Sequence, residues 1–171
     1  MRKGWVHVVR GMVLAMGLSL SALSAGAVEN DPLPVPGSGP RQRAITAYNA
    51  GVKLMVDKHY AAAQQKFEEA LAADETLAEA HNNLAFSLRM QSAANRERAL
   101  KHYDRALELQ PRLAQAYMYR GVLFTQMGDL TRARADHARL LALDRDLAAK
   151  LEKVIAGAGR DDGDGLAAQY D

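Results

Sequence analysis

Residues 81–88 read HNNLAFSL, and two other stretches have the same spacing, with a small residue in the fifth place and a large apolar residue in the eighth: AYNAGVKL at 47–54 and YMYRGVLF at 117–124. The three stretches begin 34 and then 36 residues apart. An α-helix turns every ~3.6 residues, so the first, fourth, fifth and eighth residues of each stretch share one face. Those faces hold Ala47, Ala50, Gly51 and Leu54; His81, Leu84, Ala85 and Leu88; and Tyr117, Arg120, Gly121 and Phe124. The spacing predicts three copies of one helix, each packing through the same face.

A second helix follows each copy after a short turn. The turns are marked by Asp57-Lys58-His59 in the first copy and by Gly128-Asp129 in the third. Each second helix carries a small residue, then a large one, then a small or apolar one: Ala63, Phe67 and Ala70; Ala99, Tyr103 and Ala106; and Ala133, His137 and Leu140. Alanine lets two helices approach closely, while the larger residue fills the gap between them. The chain is therefore predicted to repeat one helix–turn–helix hairpin three times.

This hairpin resembles the tetratricopeptide repeat (TPR) family, whose unit of about 34 residues has the same order of small and large side chains. The copies span 44–77, 78–113 and 114–147. The resemblance implies an all-α fold of three stacked repeats in a right-handed superhelix. Such a stack needs a cover at its end, so we expect residues 147–156 to form a C-terminal capping helix and residues 157–171 to form a flexible tail.

The sequence departs from the family pattern at several packing places. The usual tryptophan place holds Ala47, His81 and Tyr117, while Arg120 replaces a leucine, Ala85 a glycine and His137 an aromatic residue. The second copy has two extra residues in its turn, within 92–95. Thr76 and Glu79 have the spacing of a capping box before the first helix of that copy. These departures are expected to loosen or tilt the turn without breaking the repeat.

The first 27 residues have the layout of a secretory signal peptide. A basic start with Arg2, Lys3 and Arg10 precedes an apolar run, and Ala25-Gly26-Ala27 supplies a small-x-small cleavage site. The leader resembles those of proteins exported to the bacterial periplasm, with cleavage after Ala27. The alternative is an uncleaved inner-membrane anchor, although the 17 residues from Gly11 to Ala27 fall short of the roughly 20 that a spanning helix needs. Residues 28–43, rich in proline and glycine, are expected to form a linker.

The composition argues against several kinds of site. There is no cysteine, which excludes disulfides, thiolate metal sites and a cysteine nucleophile. The chain after the leader has 19 basic and 20 acidic residues, well interspersed, so nucleic-acid binding through phosphate neutralisation is not expected. The four histidines after the leader, His59, His81, His102 and His137, lack the spacing of metal ligands. No nucleophile motif or phosphate-binding loop is present, so we predict no metal, no cofactor and no enzymatic activity.

In the TPR family the first helix of each repeat lines a concave groove that commonly binds an extended peptide or a partner helix. The matching places in this chain are Tyr48, Val52 and Met55; Asn82, Phe86 and Arg89; and Met118, Val122 and Gln126. Within each helix these residues share one face. The resemblance implies a non-catalytic adaptor or scaffold that binds another protein there. Three alternatives remain open: self-association, covering of the groove by the linker, and a role as accessory subunit of an envelope enzyme complex.

Some members of the family hold a C-terminal carboxylate with a set of lysine, asparagine and arginine side chains. Only Asn83 stands at a matching place in this chain, while Tyr48 and Val52 occupy places where a lysine and an asparagine are needed. A co-chaperone of this carboxylate-clamp type is therefore not expected.

Overall fold

The computed structural model describes residues 32–33 and 37–158, so the predicted signal peptide, part of the linker and most of the tail lie outside the described residues. The described chain forms seven α-helices and one short 3₁₀ turn. The helices are α1 (Pro40–Val56), α2 (Tyr60–Ala73), α3 (Ala78–Gln91), α4 (Arg96–Leu109), α5 (Ala114–Gln126), α6 (Leu130–Leu143) and α7 (Arg145–Gly157). Among these residues, no helix combines the length and the apolar character required to cross a membrane.

The helices pack as three consecutive hairpins, α1 with α2, α3 with α4, and α5 with α6. Each hairpin also packs on the next, because α2 contacts α3 and α4 contacts α5. The second helices bury the predicted small and large residues completely in the first two copies, where Phe67 and Tyr103 are the largest fully buried side chains. The prediction of an all-α fold built from three helical hairpins is confirmed.

The first and third hairpins turn in the same way. After α1, the backbone N–H of His59 donates to the carbonyl of Leu54 (2.8 Å), and after α5 the N–H of Asp129 donates to the carbonyl of Phe124 (2.8 Å). The residue that precedes each of these donors has a positive φ, 59° at Lys58 and 80° at Gly128. Glycine adopts a positive φ without strain. Lys58 is the only described residue other than glycine that has a positive φ.

Two helix starts differ from the prediction, and the turn of the second copy has a form of its own. α1 begins at Pro40, so residues 40–43 form its first turn and not the end of the linker; proline is favoured there because its missing N–H would have no helical partner. The predicted capping box is absent, because Thr76 donates from both its backbone N–H and its hydroxyl to Asp74. The two extra residues of the second copy form a 3₁₀ turn at Ala93–Asn95, where the Ser92 hydroxyl accepts from the N–H of Ala94.

The third repeat is completed by α7. His137 was expected to fill the aromatic place, but it is only half-buried, and Asp136 beside it is 3% exposed. A Cβ atom placed on Gly121 would lie 2.5 Å from Leu151 Cδ2 of α7, just as one placed on Gly51 would lie 2.6 Å from Phe67 Cε1. Leu151 therefore fills against Gly121 the space that Phe67 fills against Gly51, and the capping helix is part of the core of the third repeat.

Candidate protein-binding face

The nine residues predicted to line the groove lie on α1, α3 and α5, the first helices of the three hairpins. We call these nine side chains the inner face. α3 contacts both α1 and α5, so the three sets are neighbours in space. Seven of the nine are buried, and only Phe86 and Gln126 are half-exposed. A partner would therefore first meet these two side chains.

Phe86 lies at the centre of a row of aromatic rings. Its ring centroid is 4.9 Å from that of Tyr119 on α5 and 6.0 Å from that of Tyr60 on α2. Tyr119 in turn is 6.4 Å from Tyr103 on α4. Tyr60 and Tyr119 were not among the predicted groove residues, since neither occupies a groove place of the repeat. Their aromatic character was the only signal in the sequence that could have suggested them.

The two asparagines of α3 form a buried chain of hydrogen bonds. Asn83 Nδ2 donates to the hydroxyl of Tyr48 (3.1 Å), and Asn82 Nδ2 donates to Asn83 Oδ1 (3.0 Å). The one residue that matches the carboxylate-clamp set is thus engaged with Tyr48 inside the molecule. By contrast, Asn82 is 3% exposed and its Oδ1 has no hydrogen-bond partner. The inner face therefore retains one unused acceptor at this point.

Arg89 is the charged residue of the inner face. Its side chain is 7% exposed, and its guanidinium carbon lies 5.2 Å from the centroid of the Phe86 ring. Its Nε and Nη2 atoms are buried and have no hydrogen-bond partner. No ion pair within 4.0 Å forms between Arg89 and any acidic residue in the described part of the chain. The inner face thus holds a buried cation without a counter-ion.

The linker is attached to the first repeat at one described residue. The backbone N–H of Leu33 donates to Asn49 Oδ1 (2.7 Å), and Asn49 Nδ2 donates to the carbonyl of Leu33 (2.7 Å). The Leu33 side chain packs against the core. Asn49 precedes Asn83 by 34 residues and so occupies the same place in the first repeat. An asparagine at this place can therefore hold an extended main chain through both the oxygen and the nitrogen of its side-chain amide.

The solved structures that share this fold include three TPR domains. The second TPR domain of Spaghetti (RPAP3), bound to the HSP90 peptide SRMEEVD, is 28% identical, with a TM-score of 0.56 over 61% of this chain and 94% of that domain. The first TPR domain of Spaghetti, bound to the same peptide, is 20% identical, with a TM-score of 0.62 over 70% and 96%. The Arabidopsis OM64 TPR domain is 19% identical, with a TM-score of 0.64 over 70% and 98%. The fold is that of tetratricopeptide-type helical repeats. No family model and no curated protein matches the sequence.

Two histidines of the tetratricopeptide-type core are paired with each other. His81 Nε2 donates to the carbonyl of Glu75 (3.1 Å), so the Nδ1 of a neutral His81 accepts from His102 Nδ1 (3.0 Å). Burial lowers the pKa of His81 from its usual value. Burial and, secondarily, the neighbouring His81 lower the pKa of His102 to about 4. The pair is therefore neutral at pH 7, and within the described residues no three potential ligands cluster as a metal site requires.

Arg120, which replaces the usual leucine of the repeat, is held by two carboxylates. Its Nε and Nη2 donate to the two oxygens of Asp136 (3.0 and 2.6 Å), and its Nη1 donates to Asp104 Oδ1 (2.7 Å). Burial opposes the charge of Arg120, but these two ion pairs raise its pKa above the usual value. The guanidinium joins α5 to α6 and α4, and all three of its nitrogens are used. Arg120 is therefore a structural residue of the third repeat.

Proposed function

We propose that this chain is a non-catalytic protein-interaction module that binds a segment of another protein on its inner face and serves as an adaptor or scaffold in the bacterial periplasm. One observation carries the proposal: the half-exposed Phe86 lies between buried polar atoms, in Asn82 and Arg89, that have no partner inside the protein. A bound segment can place an apolar side chain against Phe86, and it can satisfy these polar atoms once their side chains turn towards it. The two Spaghetti domains with this fold were solved with a bound HSP90 peptide, which supports a peptide as the ligand.

The partner is expected to be held differently from a ligand of the carboxylate clamp. Tyr48 and Val52 replace two members of that set, and Asn83 donates its amide to Tyr48. A segment on this inner face would instead meet Phe86 and Gln126 first. The identity of the partner depends on these side chains and not on the scaffold.

The periplasmic location rests on the leader. Export would remove residues 1–27 and give a mature chain that begins at Val28. The intact mass of the protein purified from its native cells tests this proposal. A mass that includes residues 1–27, together with recovery in the membrane fraction, would favour the inner-membrane anchor instead.

Self-association is a second candidate, and the open end of the stack favours it. No helix of the described chain covers the outer side of the first repeat, where a cavity of about 340 Å³ is lined by Gln42, Arg43, Thr46, Ala47, Ala50, Lys66 and Glu69. Small side chains such as Ala47 and Ala50 would allow a helix of a second copy to approach closely. Sedimentation velocity at micromolar concentration separates the candidates: a monomer contradicts self-association, whereas a dimer that Ala50→Arg dissociates supports it.

Photo-crosslinking in the native cells tests binding at the inner face. A photoreactive amino acid at position 126 replaces a half-exposed residue and should crosslink one discrete protein, identified by mass spectrometry. Phe86→Glu should abolish that crosslink, because a charged side chain cannot take its place in the aromatic row. Leu141→Glu is the matched control, since Leu141 is 54% exposed and lies on α6, away from the inner face. A crosslink that survives Phe86→Glu, or one only to a second copy, would contradict the proposal.

A further inference from the structure

We propose that Arg89 is the binding site for an acidic side chain of the bound segment, an aspartate or glutamate within an extended peptide. This inference rests on the proposed function, because it specifies the chemistry of the partner on the same inner face. The residues involved, Asn82, Phe86 and Arg89, follow one another on one face of α3. None of them is required by the carboxylate-clamp set, so the site differs from that set in residues and in place.

The free atoms of Arg89 are those that bind a carboxylate best. Nε and Nη2 point from the same edge of a guanidinium and can donate two parallel hydrogen bonds to the two oxygens of one carboxylate. Arg120 shows this geometry in the same protein, where its Nε and Nη2 bind the two oxygens of Asp136. In Arg89 the same two atoms have no partner. Both atoms are also buried, so the Arg89 side chain would turn towards the bound segment before a carboxylate of that segment could pair with it as Asp136 pairs with Arg120.

The burial of Arg89 makes its missing counter-ion costly. Arg89 is 7% exposed as a residue and two of its guanidinium nitrogens are buried, so the charged group has lost most of its hydration, and a buried charge without a counter-ion is strongly unfavourable. An acidic side chain would supply the counter-charge in a setting where water screens it little. A glutamine of the same shape would supply one oxygen and no charge. The site should therefore distinguish glutamate from glutamine.

The surroundings of Arg89 indicate what lies next to the acid. The Phe86 ring under the guanidinium fixes its orientation and leaves a half-exposed aromatic surface beside it. Asn82 Oδ1, an unpaired but buried acceptor two helical turns away, or roughly 10 Å along α3, could accept a main-chain N–H once the Asn82 side chain turns towards the segment. The expected ligand is therefore an extended segment in which an acidic residue neighbours an apolar one and the chain continues past the acid.

Peptide selection on the mature chain tests the proposal. Random peptides are displayed with their C-termini fused to the carrier, so that only side chains can supply a carboxylate, and the bound peptides are sequenced. The best peptide is then made with glutamate or glutamine at its acidic position, each with a free or an amidated C-terminus. Fluorescence anisotropy gives Kd for the wild type, for Arg89→Gln and for Arg139→Gln, which removes the same charge from an exposed place on α6.

We expect the wild type and Arg139→Gln to bind the glutamate peptide about tenfold or more tightly than the glutamine peptide. Arg89→Gln should bind both peptides equally. Arg89→Lys, a second variant that keeps the charge and loses the paired donors, should retain only part of the preference. Circular dichroism on each variant confirms that the helices are intact.

Five outcomes would overturn the inference. Equal binding of the two peptides by the wild type, or an unchanged preference in Arg89→Gln, removes the acidic side chain from the site while leaving groove binding in place. A loss of affinity on C-terminal amidation assigns the carboxylate to a chain terminus instead. If no peptide is selected, or if Phe86→Glu leaves binding unchanged, the proposed function itself fails, and this inference fails with it.

Discussion

Arg89 and Arg120 lie on the first helices of consecutive repeats, yet their surroundings are opposite. Arg120 uses all three nitrogens on Asp104 and Asp136, whereas two nitrogens of the more deeply buried Arg89 have no partner. The first arrangement closes a contact between helices of the same protein. The second leaves two buried nitrogen atoms without a hydrogen-bond partner. The comparison separates a residue that holds the repeats together from one whose polar atoms the fold leaves unpaired, which is why we propose a partner for the second.

The largest expected change in stability tests the ion pairs of Arg120. Arg120→Leu restores the usual residue of the repeat but leaves Asp136, which is 3% exposed, without its counter-ion. We expect the free energy of unfolding to fall by about 3 kcal/mol, because removing one member of a buried ion pair leaves an uncompensated charge. Urea unfolding followed by circular dichroism measures the change.

The double variant Arg120→Leu/Asp136→Leu is the control for this prediction. It removes both charges together, so it should recover most of the lost stability. If Arg120→Leu alone unfolds like the wild type, the ion pair does not hold α5 to α6, and the contrast with Arg89 disappears.

A second prediction compares the apolar contacts of the first and third repeats. Gly51→Ala should lower the free energy of unfolding by about 2 kcal/mol, because the added methyl group would clash with the rigid, fully buried ring of Phe67. Gly121→Ala should have a smaller effect, since Leu151 can change rotamer and alanine favours the helix. Urea unfolding of both variants under the same conditions gives the order, and a larger loss for Gly121→Ala would mean that α7 is the more rigid partner.

The third prediction concerns the hydrogen bond between two neutral histidines, His81 and His102. Because the pKa of His102 is lowered to about 4 in the folded protein, the unfolded chain binds a proton first as the pH falls below about 6.5. Protonation therefore favours the unfolded state, and stability declines between pH 6.5 and 4. The melting temperature of the wild type should fall across this window more than that of His102→Gln, which lacks the titrating group. Parallel curves for the two proteins would show that the histidine pair does not couple folding to pH.

The spacing of small and large residues was sufficient to predict the repeats, because Phe67 and Tyr103 fill the same place in successive hairpins and the pattern records that place directly. The spacing could not predict that Arg120 is paired with carboxylates and that Arg89 is not. Asp104 and Asp136 are each 16 residues from Arg120, and only the packing of three helices brings them together. The sequence likewise indicated His137 as the large residue of the third copy, whereas α7 supplies Leu151.

The hydrogen bonds of the inner face could not be predicted from residue spacing either. Its positions follow from the repeat, and whether they bind a partner stays a prediction. The engagement of Asn83 with Tyr48 and the missing partners of Asn82 and Arg89 depend on distances between side chains. No spacing rule contains those distances. The attachment of Leu33 to Asn49 was missed for a related reason, since a proline-rich composition predicts extended backbone but not what that backbone touches.

The smallest expected change in stability tests the unpaired guanidinium of Arg89 in the absence of any ligand. Arg89→Met keeps a long apolar side chain against Phe86 and removes only the unpaired guanidinium. The lost cation–π contact is worth about 1 kcal/mol, and the relief of an uncompensated buried charge offsets it. We therefore expect the free energy of unfolding to stay within about 1 kcal/mol of the wild type in the same urea experiment that detects Arg120→Leu. A loss as large as that of Arg120→Leu would mean that Arg89 closes a contact inside the protein, and the acidic side chain of a partner would no longer be needed to account for it.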